Sequence, residues 1–265
     1  MAGSHVSEAV AEARVARQQL GLGLDQPVHD ILRVVEETQR LPVALLRLGE
    51  GVAGAYVVRR GHPFIFLNGA QPVPRQRFTL AHELGHHRLG HAAVVDGVNE
   101  IEGKSKDPLE QQANAFAGEF LAPDQALHGW MEANGDPLVT IPILCRLATW
   151  FGISAPAAFV RLSQASVLRN QRQKQDLQTL LKRGAHRGAE RALGLEAVED
   201  TLARISREGE LPRVPAAMRD NALAAYAAGL IDLDRLAGAL RQDRASAERL
   251  VDELGLVPVA AEPDW

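Results

Sequence analysis

Two histidines and a glutamate stand at a spacing that suits metal-dependent hydrolysis. The pattern His-Glu-x-x-His begins at His82 and ends at His86, inside the stretch Phe78–Leu89. Positions four apart on a helix share one face, so His82 and His86 can offer two imidazole nitrogens to one metal ion, with Glu83 beside it. The pattern fixes only three positions and also arises by chance. The chain must therefore supply a third ligand and a helix that carries the motif.

A small sheet is predicted immediately before this motif. Three runs rich in Val, Leu, Ile, Tyr and Phe are separated by glycines and indicate an antiparallel meander; they are Pro42–Leu48, Ala53–Arg59 and Pro63–Asn68. We interpret the most apolar run, Phe64–Leu67, as a central core strand. The alternative is an edge strand to which an extended peptide adds by backbone pairing. Helical spacing from Arg75 then places the motif on a helix.

Gly85 lies inside this predicted helix. Glycine in a helix interior costs about 1 kcal/mol relative to alanine. Because the position carries that cost, we expect the next helix or a bound ligand to pack closely against it.

A second capped helix offers the third ligand. Asp107 and Pro108 provide an N-cap and a first-turn proline, and the helix is predicted to end at residues 122–123. Within it, Glu110 and Asn114 are one turn apart and share a face. Glu110 completes a set of two histidines and one carboxylate with an open fourth position, as in thermolysin-type peptidases. Asn114 is predicted to orient a ligand through a hydrogen bond.

Two other histidines near the motif, His87 and His91, are poorer candidates for the third ligand. The metzincin register requires glycine and histidine three and six residues after His86, but those positions hold Leu89 and Ala92. We therefore interpret His87 and His91 as surface or helix-end residues, either of which could assist a substrate carbonyl.

A polar, glycine-bearing stretch from Asp96 to Asp107 separates the two helices and is predicted to be a solvated loop bordering the site. Glu100 and Glu102 lie in it and remain alternative ligands. A loop lacks the rigid helix that holds a ligand in place, so Glu110 is preferred.

The two motifs together resemble the ImmA/IrrE family of bacterial metallopeptidases. The resemblance spans roughly residues 25 to 165 and is carried by Arg77–His86, by Glu110–Ala117 and by Leu121-Ala122-Pro123, where Ala122 replaces a residue that is often bulkier in the family. It implies a zincin-type endopeptidase whose members cleave helix-turn-helix repressors of mobile elements or of DNA-damage genes. It also implies that His82, His86 and Glu110 bind the metal and that Glu83 is the general base.

Zinc is the cofactor that this ligand set favours, because two imidazole nitrogens and one carboxylate suit it well. The same set also accepts manganese, cobalt or another divalent metal, and the sequence does not choose between them.

The predicted fold class is α+β, with a small antiparallel sheet, zincin-type helices and an all-α C-terminal extension. We divide the chain into an N-terminal helix (1–24), a metallopeptidase domain (25–135), a helix-turn-helix-like unit (136–168) and a helical extension (169–265). For the third unit, helix packing is favoured over DNA contact. Residues 169–191 carry an excess of five positive charges, which we interpret as the solvated face of a long helix rather than a surface that attracts nucleic acid or an acidic partner.

Composition narrows the class of protein. The 265 residues are 46% hydrophobic with a formal net charge of −4, which predicts a folded core and no global attraction to nucleic acid or anionic lipid. Cys145 is the single cysteine, so a reducing compartment is expected, and no apolar run reaches the length of a membrane span. We expect a cytoplasmic protein in which Cys145 is an inert core thiol.

These observations are compatible with two alternative functions, an enzyme and a non-catalytic binding protein. The preferred one is a metal-dependent endopeptidase that cleaves a protein substrate, a helix-turn-helix repressor, and thereby relieves repression in a stress response or in mobile-element control. The alternative is a non-catalytic regulator that binds a repressor or DNA through its peptidase-like and helical domains. All the expected chemical groups are present in the sequence, which favours the enzyme.

Overall fold

The computed structural model describes residues 2–49, 51–92, 94–97, 107–134, 138–195, 199–209 and 211–257. Helices surround one four-stranded sheet, so the predicted α+β class is confirmed. The strands are β1 Val43–Leu46, β2 Val52–Arg59, β3 His62–Asn68 and β4 Val94–Gly97. The α-helices are α1 Ala2–Gln19, α2 Ile31–Arg33, which continues as a π-helix at Val34–Thr38, α3 Val73–Arg88, α4 Pro108–Leu121, α5 Asp124–Ala133, α6 Ile141–Phe151, α7 Ala155–Gln164, α8 Gln171–Lys182, α9 Ala185–Ala192, α10 Thr201–Glu208, α11 Ala216–Ala227, α12 Leu233–Leu240 and α13 Arg244–Glu253.

The sheet has the order β1-β3-β2-β4 and is mixed. Strands β2 and β3 pair antiparallel as predicted, but β1 pairs with β3 in parallel, so the prediction of an antiparallel meander is wrong for β1. The chain between β1 and β2 crosses the end of β3, where the Asn68 amide donates to Val52 O at 2.8 Å. The interpretation of Phe64–Leu67 as a central strand is confirmed, and Ile65 and Leu67 are fully buried.

The fourth strand was not predicted. Asp96 and Gly97 belong to β4, which pairs antiparallel with β2, so the expected solvated loop is wrong at these two positions. The pairing is irregular between Val52 and Gly54 of β2, as in a β-bulge. Residues 98–106, which include Glu100 and Glu102, lie outside the described residues.

The two predicted site helices are present. Helix α3 begins at Val73, two residues earlier than the helical spacing indicated, and it takes Pro74 into its first turn. Helix α4 begins after Asp107, whose side chain accepts a hydrogen bond from Leu109 N at 2.9 Å. The expected close neighbour of Gly85 is Phe116 of α4, since a Cβ atom at Gly85 would lie 3.1 Å from the Phe116 ring. The small residue lets the two helices approach each other.

Helix α1 packs along α4 and also contacts α3. Its Arg14 donates to Glu119 of α4 at 2.7 Å, and its Glu12 accepts from Arg88 at the end of α3 at 2.8 Å. Glu119 is almost fully buried and also pairs with Arg161 of α7 at 2.6 Å. Paired charges of this kind are the usual condition for burying a carboxylate.

Helices α6 and α7 form the predicted helical unit after the site helices. Gly152 ends α6 in the left-handed conformation (φ 63°), and the Ser154 side chain caps α7. The turn between α6 and α7 contacts α3, where the Arg77 side chain donates a hydrogen bond to Gly152 O at 3.0 Å. In the described part of the chain no single helix has the length and apolar character to cross a bilayer. Helices α6 and α7 together have that length and composition, but they are bent by 95° at the turn between them.

The C-terminal residues divide between two cores. Residues up to Ile205 join the core that holds the sheet and the site helices, and Cys145 is fully buried in it. Helices α11, α12 and α13 enclose a second, smaller core of Ala222, Leu236, Leu240 and Val251. The basic stretch is not one long helix as predicted: α8 and α9 are separated at Gly184 (φ 76°).

Candidate metal centre

Three side chains from α3 and α4 converge inside the protein. His82 Nε2 lies 3.0 Å from His86 Nε2, and these nitrogens lie 3.2 and 3.4 Å from the Glu110 carboxylate oxygens. One ligand atom from each residue lies within 4.8 Å of the others. All three side chains are buried. The structure therefore brings together the three residues predicted as ligands.

Local sequence places each of these groups. His82 and His86 are four apart on α3 and so project from the same face. Glu110 lies in the first turn of α4, directly after the Asp107 cap. A carboxylate is stabilised near a helix N-terminus by the partial positive charge there. The packing of α3 on α4 then brings the three groups to one point.

The outer nitrogens of both histidines are engaged. His82 Nδ1 lies 3.1 Å from Asn114 Oδ1, so the hydrogen bond expected from Asn114 is present. His86 Nδ1 lies 2.8 Å from His91 Nδ1. Because an amide oxygen only accepts, His82 donates from Nδ1 and keeps its lone pair on Nε2.

This arrangement fits a divalent metal ion. Two imidazole nitrogens and a carboxylate meet at one buried point, where unprotonated Nε2 atoms and the carboxylate can direct their lone pairs at one cation. Nitrogen and oxygen donors in this number are the ligands that Zn²⁺ uses in sites that keep one position open for substrate. Among the described residues, no other group of histidine, cysteine, aspartate and glutamate side chains meets the same criterion.

Glu83 is fully buried and directly follows His82, one of the three candidate ligands, on α3. Its carboxylate faces β2, where a Cβ atom at Gly54 would lie 2.6 Å from Glu83 Oε1 and 2.6 Å from Thr79 Cγ2. Gly54 therefore leaves the space that the carboxylate occupies. Sequence reasoning missed this residue; its only signal was a glycine inside a predicted strand, which often marks a bulge or a close approach.

His87 and His91 are outside the group of three candidate ligands. His87 Nδ1 lies 3.0 Å from the Tyr56 hydroxyl, and burial lowers the pKa of His87, with a smaller contribution from Arg88. Burial also lowers the pKa of His91, against opposing effects led by a hydrogen bond with Gln112. Both residues lie at the end of α3 as predicted, but each makes a specific side-chain contact.

A buried centre of two histidines and one carboxylate, held by two packed helices beside a small sheet, is the arrangement of a metallopeptidase-type domain. Residues 37–163 match the family model of the IrrE N-terminal-like domain, Peptidase_M78. Over 106 residues the chain is 32% identical to the radiation response metalloprotease IrrE of Deinococcus radiodurans. The match covers 39% of this chain and 31% of that relative, so it spans about a third of the relative's length.

Proposed function

We propose that this protein is a metal-dependent endopeptidase that hydrolyses a peptide bond in a protein substrate. The observation that carries the proposal is the convergence of His82, His86 and Glu110 with the buried Glu83 carboxylate on the next position of the same helix. The pattern is that of a His-Glu-x-x-His peptidase with a downstream glutamate ligand. The family match over residues 37–163 supports the same assignment.

His82, His86 and Glu110 are the proposed metal ligands, and zinc is the proposed ion, with manganese and other divalent metals compatible with the same donors. When bound, the metal supplies Lewis-acid polarisation of the scissile carbonyl and acidifies water at the site. Asn114 holds the His82 ring so that Nε2 faces the centre. Glu110 contributes the negative charge that offsets part of the cation's charge.

Glu83 is the proposed general base. It accepts the proton of the attacking water and returns that proton to the nitrogen of the leaving amine. Its burial between α3 and β2 excludes bulk solvent from the carboxylate, and the space beside Gly54 fixes where the carboxylate lies. A base held in one position contributes to the rate because the reacting groups need no further ordering.

The proposed substrate is a helix-turn-helix transcriptional repressor in the bacterial cytoplasm, whose cleavage relieves repression in a stress response or in mobile-element control. The family resemblance supports this choice, and the matched relative is named for a radiation response. We place the catalytic chemistry in residues 25–135, because all four site residues lie there. Residues 1–24, 136–168 and 169–265 are the proposed flanking units.

The test uses a repressor encoded beside this gene as substrate. Wild type with zinc should cleave it, whereas Glu83→Gln should bind zinc equally well and cleave at least about 100-fold more slowly, because removing a general base costs about this much. Chelation should abolish cleavage by wild type, and added zinc should restore it. Normal cleavage by Glu83→Gln would show that Glu83 is not the base. Zinc binding with no cleavage of any tested repressor would instead favour the non-catalytic regulator.

A further inference from the structure

The end of helix α3 turns the chain back toward one of the proposed ligands. Gly90 adopts the left-handed conformation (φ 70°), and His91 N donates to His86 O at 3.0 Å. This is the geometry of a helix terminated by a left-handed glycine. If the helix had continued, a residue five positions after His86 would lie about 140° away around the helix axis. The turn at Gly90 instead places the His91 ring beside the His86 ring.

The two rings meet through their Nδ1 atoms. His91 Nδ1 lies 2.8 Å from His86 Nδ1, and the ring centroids are 5.0 Å apart with an interplanar angle of 65°. His86 Nε2 points in the other direction, toward His82 and Glu110. The His86 ring is therefore fixed at both nitrogens, one at the proposed metal centre and one at His91.

His91 is itself held by the second site helix. The Gln112 side chain of α4 hydrogen-bonds His91, and Gln112 follows Glu110 by two residues. Gln112 is buried and its amide also contacts the His5 carbonyl of α1 at 3.5 Å. The His91 ring thus joins the C-terminal end of α3 to the turn of α4 that carries the third ligand.

We propose that His91 is a positioning residue that accepts a hydrogen bond from His86 Nδ1 and thereby holds His86 Nε2 toward the metal. The proposal rests on the proposed function. It gives His86 the counterpart of what Asn114 does for His82, and such outer partners typically change metal affinity by about 10–100-fold when removed. An imidazole in this role uses its lone pair on Nδ1 and carries its own proton on Nε2.

Three variants separate this role from plain packing. His91→Ala removes the acceptor, whereas His91→Asn keeps an acceptor, since the amide oxygen stands at about the position of Nδ1 relative to Cβ. His87→Ala is the matched control, because His87 lies at the same helix end but contacts Tyr56 rather than a ligand. The affinity of each apo-protein for Zn²⁺ is measured by competition with a chromophoric chelator. The visible spectrum of the Co²⁺ form reports the geometry of the ligands, and thermal unfolding of the apo-proteins reports folding.

We expect His91→Ala to bind Zn²⁺ about 10–100-fold more weakly than wild type, with an altered Co²⁺ spectrum. His91→Asn should bind within about threefold of wild type, as should His87→Ala. Unchanged affinity of His91→Ala would overturn the proposal, and so would a His91→Asn variant as weak as His91→Ala. Absence of Zn²⁺ binding by wild type would instead contradict the proposed function itself, on which the role of His91 depends.

Discussion

At the scale of single residues, Gly54 is the position that leaves room for Glu83. Its Cα lies over α3 where β2 is irregular, and any Cβ there would meet the Glu83 carboxylate, Thr79 Cγ2 and, at 3.1 Å, Phe66 O. The carbonyl belongs to the neighbouring strand and cannot move easily. A side chain at this position must therefore displace the carboxylate.

We expect Gly54→Ala to lower kcat by about 10–100-fold, because a displacement of about 1 Å in a catalytic group costs up to this much. The affinity for zinc should stay within about threefold of wild type, since the atoms nearest to a Cβ at Gly54 belong to Glu83, Thr79 and Phe66 and not to a proposed ligand. Steady-state cleavage and a zinc titration on the same preparation measure the two effects.

Gly49→Ala is the control for this substitution, because a Cβ at Gly49 meets no atom within 4 Å. It should cleave as wild type does. Equal activity of Gly54→Ala and Gly49→Ala would mean that the Glu83 carboxylate does not need the space beside β2.

At the scale of elements, the contact between α3 and α4 sets the distance between the ligands. Gly85 and Phe116 meet at 3.1–3.2 Å when a Cβ is placed on Gly85, so the two helices are as close as a glycine permits. His86 follows Gly85 directly, and Glu110 lies on the helix that carries Phe116. A larger residue at Gly85 must move one helix away from the other.

Gly85→Val should lower the free energy of unfolding by about 1–3 kcal/mol, the usual cost of overpacking a tight contact. It should also weaken zinc binding, because the separation of α3 and α4 moves Glu110 from the histidines. Gly129 lies in helix α5 with open space around it, so Gly129→Val should change the free energy of unfolding by less than about 0.5 kcal/mol. Denaturant unfolding of the apo-proteins checks the stabilities. Equal stability of the two valine variants would contradict the role of the Gly85 contact.

The convergence of the three proposed ligands could be predicted because their positions follow from local rules. The spacing of His82 and His86 on one helix, and the cap that begins α4 before Glu110, are properties of short stretches of sequence. The parallel pairing of β1 with β3 could not be predicted in this way, because it depends on a crossing held by Asn68. The contact of Gly54 with Glu83 is also non-local. For His91 a local signal existed in Gly90, but only the structure shows which ring it meets.

At the scale of the whole molecule, α10 of the C-terminal extension packs directly on the site helix. Arg77 of α3 is buried and forms an ion pair with the buried Asp200, which also caps α10 through Ala203 N at 2.8 Å. Arg77 further donates to Val28 O at 2.5 Å and to Gly152 O at 3.0 Å. One guanidinium therefore joins three separate parts of the chain to the helix that carries the proposed metal ligands.

Asp200→Ala should lower the free energy of unfolding by about 3–5 kcal/mol, because it leaves the buried Arg77 charge without its partner. The adjacent Glu199 forms an exposed ion pair with Arg207, so Glu199→Ala should leave the melting temperature nearly unchanged. Differential scanning calorimetry compares the two variants. A small, equal effect of both substitutions would mean that the Arg77 contacts with backbone carbonyls suffice.

The close fit of Phe116 against Gly85 also bears on how tightly the proposed site would bind a cation. The spacing of α3 and α4 is set by packing between the helices, so the three proposed ligands are already ordered when the protein folds. The conformational entropy of these side chains is therefore lost on folding and not on metal binding. Binding then requires little further ordering of the chain, which favours affinity. A preset distance also limits how far the ligands can adapt to an ion's radius. The preset geometry therefore selects among divalent cations together with donor chemistry and the supply of each ion in the cell.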